Sequence, residues 1–155
     1  MVSLYLKHFI KIIVHKYYVF QESRKCGIIW QGLVHDLSKF LPSEFKQARY
    51  YTGNRSAIDG EKAALGYSHS WIVHTNRNPH HWEYWYDPTD RYIAPIPEKY
   101  QKGMACDIIA ASKAYLGKDY TPQKPVEFLT TAGRHPKEVI DMVLPHMLKL
   151  LGLEK

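Results

Sequence analysis

The sequence is short of cysteine and of uninterrupted apolar runs, and each shortage excludes a class of protein. Its two cysteines, Cys26 and Cys106, lie far apart and form no CxxC pair, so neither a disulfide framework nor a zinc knuckle is expected. No apolar run approaches the roughly 18–20 residues of a membrane span. The most apolar segment, residues 4–20, is interrupted by Lys and His and is followed by no small-residue cleavage site. We therefore expect a soluble, cytoplasmic protein with reduced thiols and no signal peptide.

Dense clusters of basic residues, strand patterns, repeats and low-complexity segments are also missing. Basic residues outnumber acidic ones by 21 to 15, which gives a net charge of +6. This charge favours anionic partners such as nucleotides, but no basic run reaches five residues, so support for nucleic-acid binding is weak. The 45% hydrophobic and 23% charged content is typical of a globular protein, and 155 residues suit one domain over residues 1–155.

Apolar residues recur at helical spacing through most of the chain. The pattern predicts helices over residues 3–25, 27–33, 43–51, 61–77, 98–116, 125–132 and 136–151. Residues 52–60 are predicted as a loop because they contain two glycines, an asparagine and a serine. Residues 79–97, with four prolines and clustered aromatics, are predicted as an ordered irregular segment. We expect an all-α, single-domain bundle of about six to seven helices.

The first chemical feature is the adjacent pair His35 and Asp36 at the predicted end of the second helix. Neighbouring helical residues point about 100° apart, so the two side chains reach one ion only with the backbone freedom of a helix end. Imidazole nitrogen with carboxylate oxygen suits Mn, Fe, Co, Ni, Zn or Mg. The alternative interpretation is an aspartate that caps a helix.

A third ligand is sought among the histidines of the first helix. His8 and His15 are seven residues apart, so they share a face but stand about 10.5 Å apart, too far for one ion. His15 lies nearer the end that leads to His35 and is the better candidate. We interpret His8 as structural.

Asp107 is a fourth candidate because it lies in an otherwise apolar helix, residues 104–111. A buried carboxylate without a partner costs several kcal/mol, so Asp107 is expected to bind metal or to form an ion pair. Lys113 and Arg91 are the candidate partners for that alternative ion pair.

The order His15, His35-Asp36, Asp107 resembles the His…His-Asp…Asp order that defines the HD domain superfamily of metal-dependent phosphohydrolases. Lys39, three residues after Asp36, is similar to the lysine of a frequent HD variant, which faces substrate phosphate. The resemblance implies an HD-like helical bundle in which His15, His35, Asp36 and Asp107 hold a divalent metal ion.

Two longer segments, residues 35–40 and 78–85, also resemble a small HD-like family catalogued as a domain of unknown function. The resemblance extends from about residue 5 to residue 116. The predicted helices over residues 125–151 carry no motif that matches.

The resemblance also implies a possible second metal site, because HD proteins with two or more metals insert histidines between the His-Asp pair and the last Asp. The candidates here are His74, His80 and His81. His69 is excluded because five residues place it about 140° around the helix from His74. The insertion is shorter than in familiar dinuclear HD enzymes, so we expect one ion and allow for two.

The implied reaction is hydrolysis of a phosphate ester or anhydride in a nucleotide or another small phosphate. Asp36 and Lys39 are the expected catalytic residues, and Lys39 and Arg77 are expected to hold the substrate phosphate. Three aromatic residues beside His80 and His81 are candidates to stack on a nucleobase: Trp82, Tyr84 and Trp85.

Two other functions remain open at this stage. A few HD proteins use the order His, His-Asp, His, His, Asp for oxygen chemistry, so a dinuclear-iron oxygenase is one alternative. A non-catalytic protein that binds a nucleotide or nucleic acid is the other. The aromatic segment around residues 79–97 is a candidate partner surface, for example in a homo-oligomer.

Overall fold

Helices form most of the chain in a computed structural model that describes residues 3–53 and 55–154. The described residues contain eight α-helices: α1 Leu4–Lys25, α2 Ile29–Val34, α3 Pro42–Phe45, α4 Ala57–Leu65, α5 His69–Thr75, α6 Glu98–Leu116, α7 Gln123–Thr130 and α8 Lys137–Leu151. The all-α prediction is therefore confirmed. In this part of the chain, no helix combines the length and the apolar character that crossing a membrane requires.

Short elements connect the helices. Four 3₁₀ segments lie at Leu37–Phe40, Lys46–Tyr50, Trp82–Trp85 and Gly117–Asp119. Two strands, β1 Tyr86–Asp87 and β2 Tyr92–Ile93, pair antiparallel with Tyr86 opposite Ile93. Residues 79–97 are thus largely irregular, as predicted, with one small hairpin. The predicted helix over residues 43–51 begins one residue earlier and becomes a 3₁₀ segment after Phe45.

The predicted helix over residues 61–77 is wrong, because the structure divides that region into α4 and α5. Gly66 ends α4 in the left-handed conformation, at φ 81°, where glycine pays no steric penalty. Ser68 then begins α5, since its side chain accepts a hydrogen bond from the Trp71 backbone N–H at 3.0 Å.

The predicted loop over residues 52–60 is also partly wrong, since α4 begins at Ala57. Ser56 caps it by accepting a hydrogen bond from the Asp59 N–H at 3.0 Å. Gly60 lies inside the helix, where a Cβ atom would stand 2.1 Å from the Tyr50 carbonyl oxygen. A glycine that looked like a loop signal is therefore required by close helix packing.

The two long helices α1 and α6 pack against each other at the centre of the fold. Ala110 and Ala114 of α6 are buried at helical spacing from Cys106, which contacts α1, and these small residues allow the close approach. Glu22 of α1 is buried and accepts from Lys113 of α6 at 2.6 Å. The free thiols Cys26 and Cys106 also meet between the two helices, with their sulfurs 3.4 Å apart.

The C-terminal helices complete the apolar core on the other face of α6. Ile109 of α6 packs with Leu129, Val139, Val143 and Met147 of α7 and α8, and all five are essentially inaccessible to water. Full burial of such side chains stabilises the fold by about 1.5–3 kcal/mol each. The helices without a recognisable motif therefore belong to the same packed unit as the motif residues.

Candidate metal centre

A strained turn positions His35 and Asp36 at the end of α2. Asp36 adopts a left-handed conformation, with φ 57° and ψ 22°, at a cost of about 1–2 kcal/mol. The Lys16 ammonium donates to the carbonyl oxygens of Leu33 and His35 and so holds this helix end against α1. The turn brings the Asp36 Oδ2 atom to 3.2 Å from Nε2 of His35, which an undistorted helix would not allow.

Four of the predicted ligands form one compact group. The Asp107 Oδ1 atom on α6 lies 3.0 Å from His15 Nε2 and 3.3 Å from His35 Nε2. Asp36 Oδ2 lies 3.4 Å from His15 Nε2. One ligand atom from each of the four residues falls within 4.8 Å of every other, so the group has the dimensions of a metal site.

A second group shares Asp36 with the first. The Nε2 atoms of His74 and His80 each lie 3.2 Å from Asp36 Oδ1, and His81 completes the set. The two carboxylate oxygens of Asp36 therefore face different groups, Oδ2 the first and Oδ1 the second. The histidines predicted for a second site thus stand where one carboxylate bridges both groups.

His74 is oriented by a buried carboxylate that the sequence did not single out. Its Nδ1–H donates to Glu44 Oε2 at 2.7 Å, and Glu44 is fully buried. Ser38 donates to the same oxygen at 3.1 Å. The hydrogen bond fixes the proton of His74 on Nδ1 and leaves the Nε2 lone pair directed at the cluster.

The donor atoms fit a metal ion. Several buried atoms have no hydrogen-bond partner among the described residues: Asp36 Oδ1 and the Nε2 atoms of His74, His80 and His81. Burying such an atom without a partner costs about 1–3 kcal/mol, and a group of them in one place requires an explanation. Imidazole and carboxylate donors facing one point are the ligands that divalent transition metals bind.

Burial and neighbouring charges give the histidines of the cluster different pKa values and so different protonation states. Burial disfavours the charged form of His35, but the carboxylates of Asp36 and Asp107 outweigh it and raise its pKa to about 9. Burial and the charge of His35 lower the pKa of His80 to about 4. Burial and neighbouring imidazoles lower the pKa of His81 well below its usual value. His80 and His81 are therefore neutral, as metal ligands must be.

The other charged groups of the cluster are the carboxylates of Asp36 and Asp107 and the ammonium of Lys39. Burial opposes the ionisation of both carboxyls, yet the charges of His35 and Lys39 hold the pKa of Asp36 well below its usual range, and hydrogen bonds from His15 and His35 do the same for Asp107. The Lys39 ammonium lies 2.5 Å from Asp36 Oδ2. Burial works against the charge of Lys39, but Asp36 and Asp107 raise its pKa, so it is a fixed positive charge beside the cluster.

The cluster opens into a cleft of about 770 Å³, a size typical of sites for small molecules. His15, His80, His81 and Asp107 line it together with Lys39. Its further walls come from residues that the sequence did not single out, among them Gln47, Arg55, Lys62, Trp71, Tyr115 and, from the C-terminal helices, Lys124, Phe128, Arg134 and His135. No local motif marks these residues, because only the tertiary fold brings them to one cleft.

Two of the predicted substrate-binding residues do not line the cleft in the structure. Arg77 donates to Ser43 at 3.0 Å on an exposed surface and does not line the cleft, because α5 ends before it at Thr75. Trp85 donates its indole N–H to the Pro79 carbonyl at 2.8 Å and packs against the core, away from the cleft.

The remaining aromatic candidates divide between the cleft and the surface. Trp82 lines the cleft as required for a stacking role, whereas Tyr84 is exposed outside it. The alternative ion pair of Asp107 is not formed in the described structure, because Lys113 pairs with Glu22 and the side chains that contact the Asp107 carboxylate are His15 and His35. His69, expected to be structural, is exposed at the start of α5.

Comparison with other proteins gives a family without a known activity. Neither the curated proteins nor the solved structures contain a match to this chain. Residues 4–149 match a family of unknown function, DUF5662, so the match includes both ligand groups and most of the C-terminal helices. The chain belongs to the DUF5662 family.

Proposed function

We propose that the protein is an HD-type, metal-dependent phosphohydrolase that acts on a nucleotide or another small phosphate ester or anhydride. The observation that carries this proposal is the pair of buried ligand groups that share Asp36 at the base of a cleft, next to Lys39. A buried centre of this composition beside a fixed cation suits an anionic substrate.

Two divalent ions fit the proposal better than one. His15, His35, Asp36 and Asp107 would hold the first ion, and Asp36, His74, His80 and His81 the second. Mn, Fe, Co, Ni and Zn accept such sets of imidazole and carboxylate, whereas Mg prefers oxygen ligands. When bound, such ions lower the pKa of coordinated water toward neutrality and offset the charge of phosphoryl oxygens.

The residues of the chain supply the remaining functions. Lys39, a permanent cation that lines the cleft, is placed to hold a phosphate oxygen next to Asp36. Trp82 and Trp71 give the same cleft apolar surface on which an organic group can pack. Glu44 acts as a positioning residue, because it holds the ring of His74 in one orientation.

The test is a hydrolysis screen of nucleoside mono- and triphosphates and small phosphate monoesters with each divalent ion in turn. We expect phosphate release by the wild type and a loss of about 100-fold or more in Asp107→Asn. Lys39→Met should lower kcat/KM by about 10-fold to 100-fold with the metal content unchanged. The matched control is Lys137→Met, because this exposed lysine pairs only with Asp141 on the surface. If the metal-loaded wild type hydrolyses no substrate in the screen, the proposal is wrong.

The second ligand group favours one alternative, a dinuclear-iron oxygenase. Three histidines and a shared carboxylate are donors that also suit iron. Iron-loaded protein would then show an iron-specific absorption band and substrate-dependent consumption of oxygen. Hydrolysis supported by Mg or Mn under anaerobic conditions would contradict this alternative and favour the phosphohydrolase.

A further inference from the structure

Two buried polar side chains in the cleft lie outside the metal centre and carry polar atoms without a hydrogen-bond partner among the described residues. His8 and Gln47 are only 4% and 3% exposed, and both line the cleft. Both ring nitrogens of His8 and the Oε1 atom of Gln47 make no hydrogen bond within residues 3–53 and 55–154. Such atoms are costly to bury unless a ligand or water satisfies them. The sequence alone predicted a structural role for His8, and that role does not explain why its two ring nitrogens are buried without hydrogen bonds among the described residues.

His8 is rigid and uncharged. Its ring lies between Phe45 and Tyr51, at centroid distances of 5.7 and 5.4 Å. Burial and the nearby charge of Lys39 lower its pKa to about 4, so at neutral pH the ring has one N–H donor and one acceptor nitrogen. With Gln47, it provides neutral hydrogen-bonding groups and no charge for an anion.

We propose that His8 and Gln47 bind sugar hydroxyls of the substrate, while its phosphate lies at the metal centre. A hydroxyl both donates and accepts, so it can satisfy the ring nitrogens and the amide oxygen. His8 precedes His15 by two turns of α1, about 10.5 Å, which suits a sugar phosphate or a nucleoside monophosphate that spans the two. The assignment of the phosphate end rests on the proposed function, but the hydroxyl end stands on His8 and Gln47.

The test compares the binding of four ligands to the metal-loaded protein by calorimetry: ribose 5-phosphate, adenosine monophosphate, phenyl phosphate and inorganic phosphate. His8→Phe and Gln47→Leu keep side-chain size and remove the polar atoms, and His69→Phe is the control on an exposed site outside the cleft. We expect each cleft variant to bind the two sugar-containing ligands about 10-fold more weakly and to bind phenyl phosphate and inorganic phosphate within about 2-fold of wild type. If ribose 5-phosphate alone is affected, the ligand is a free sugar phosphate; if both are affected, nucleotides are included.

The outcomes separate this inference from the proposed function. Equal losses for all four ligands, no loss for any, or a wild type that binds no sugar phosphate would overturn the hydroxyl site. A wild type that binds sugar phosphates through His8 but hydrolyses none would leave the site standing and contradict the hydrolase. If the wild type hydrolyses its substrates and both His8→Phe and Gln47→Leu hydrolyse every one of them equally well, the hydrolase stands and the hydroxyl site is contradicted.

A different observation, on the outside of α1, carries a second inference. Leu6, Ile10, Ile13 and Tyr17 follow one another at spacings of four, three and four residues, and each is between 45% and 57% exposed. This is the heptad spacing of a helix that packs against another helix. The opposite side of α1 already packs against the core through residues at the same spacing, 8, 12, 15 and 19. The helix therefore has a buried seam and, on its other side, an apolar seam that the described residues leave exposed.

The outer seam belongs to a larger apolar surface. Phe9 and Val14 of α1 flank the seam and are 40% and 36% exposed. Six partly exposed side chains of this size offer several hundred Å², a large part of the roughly 800 Å² that each partner of a standard interface buries. Monomeric proteins rarely expose so much contiguous apolar surface.

We infer that a second copy of the chain covers this surface through its own α1, in a two-fold symmetric dimer. A seam of Leu, Ile and Tyr is self-complementary, which is the requirement for a two-fold interface. Two α1 lysines add no free charge to this surface, because Lys11 and Lys16 are engaged by carbonyl oxygens of their own chain.

Sedimentation equilibrium of the full chain at about 1–100 µM tests the dimer, since interfaces of standard size commonly persist in this range. We expect a wild-type dimer and monomers for Ile10→Glu and Ile13→Glu with unchanged helical circular dichroism. Ile72→Glu is the matched control, because Ile72 is equally exposed but lies on α5. A monomeric wild type, including one that binds phospholipid vesicles, or a dimer that both variants retain, would overturn the inference.

Discussion

At the scale of single residues, Asp36 connects all the parts of the candidate site. It is fully buried, its two oxygens face the two ligand groups, and its own backbone is held in a left-handed turn. Asparagine and aspartate tolerate that conformation better than other residues with a side chain, so the same residue suits both the turn and the chemistry. Glu44 is a further buried carboxylate, which contacts the ligand groups through His74.

Removing the charge of Glu44 should weaken metal binding by the second ligand group and leave metal binding by the first unchanged. We expect Glu44→Gln to lower the affinity for the second ion by about 10-fold to 100-fold, because His74 loses the acceptor that fixes its proton and its ring. Titration with a chelator that competes for metal measures this affinity. Glu138→Gln, at an exposed position on α8, is the control. If Glu44→Gln and the wild type bind the second ion with equal affinity, Glu44 has no positioning role.

His8 should make the metal-free protein less stable in acid. Its pKa is about 4 in the folded state against an ordinary value of 6.5, so below pH 6.5 the unfolded chain takes up a proton that the folded chain refuses. The stability contributed by the neutral ring is thus complete above pH 6.5 and is lost as the pH falls toward 4.

His8→Phe removes this titration. We expect the free energy of unfolding of the variant, relative to wild type, to rise by about 2–3 kcal/mol between neutral pH and about pH 4. Urea denaturation at several pH values in the presence of a chelator gives the difference. A difference that does not change with pH would show that His8 titrates normally in the folded protein.

At the scale of the helices, the packing around Gly60 and helix propensity predict opposite effects of an alanine substitution on stability. Alanine favours a helix over glycine by about 1 kcal/mol, but a Cβ at position 60 would stand 2.1 Å from the Tyr50 carbonyl. We expect Gly60→Ala to lower the free energy of unfolding by about 1–3 kcal/mol, measured by chemical denaturation.

Gly103→Ala is the matched comparison for Gly60. It also lies inside a helix, and its added Cβ meets the His80 Cβ at an ordinary contact distance of 3.4 Å. This variant should be as stable as wild type or more so. If both alanine variants stabilise the protein, the close contact between α4 and Tyr50 is not present in solution.

The helices that the sequence predicted well are those in which one physical signal dominates. The bounds of α6 agree with the prediction, since Pro97 and Gly117 flank an uninterrupted apolar pattern. The division between α4 and α5 was missed because a glycine in the left-handed region and a serine cap act within three residues, at Gly66 and Ser68.

At the scale of the whole molecule, the ligand groups were easier to predict than the cleft. His15, His35, Asp36 and Asp107 could be named from their order and residue types, and the structure brings them within ligand distance. The walls of the cleft come from segments far apart in sequence, such as Gln47 and Phe128, whose side chains carry no signal of their own. Long-range packing decides which residues face the cleft, and no local pattern encodes it.

The metal content of the whole protein tests the central claim most directly. Elemental analysis after reconstitution should find about two equivalents of divalent metal in the wild type, because the two ligand groups share one carboxylate. Asp36→Ala should lose both ions and His74→Ala about one, whereas Asp90→Ala, at an exposed turn, should retain both. A wild type that takes up no metal, or an Asp36→Ala variant that retains its metal in full, would contradict the account.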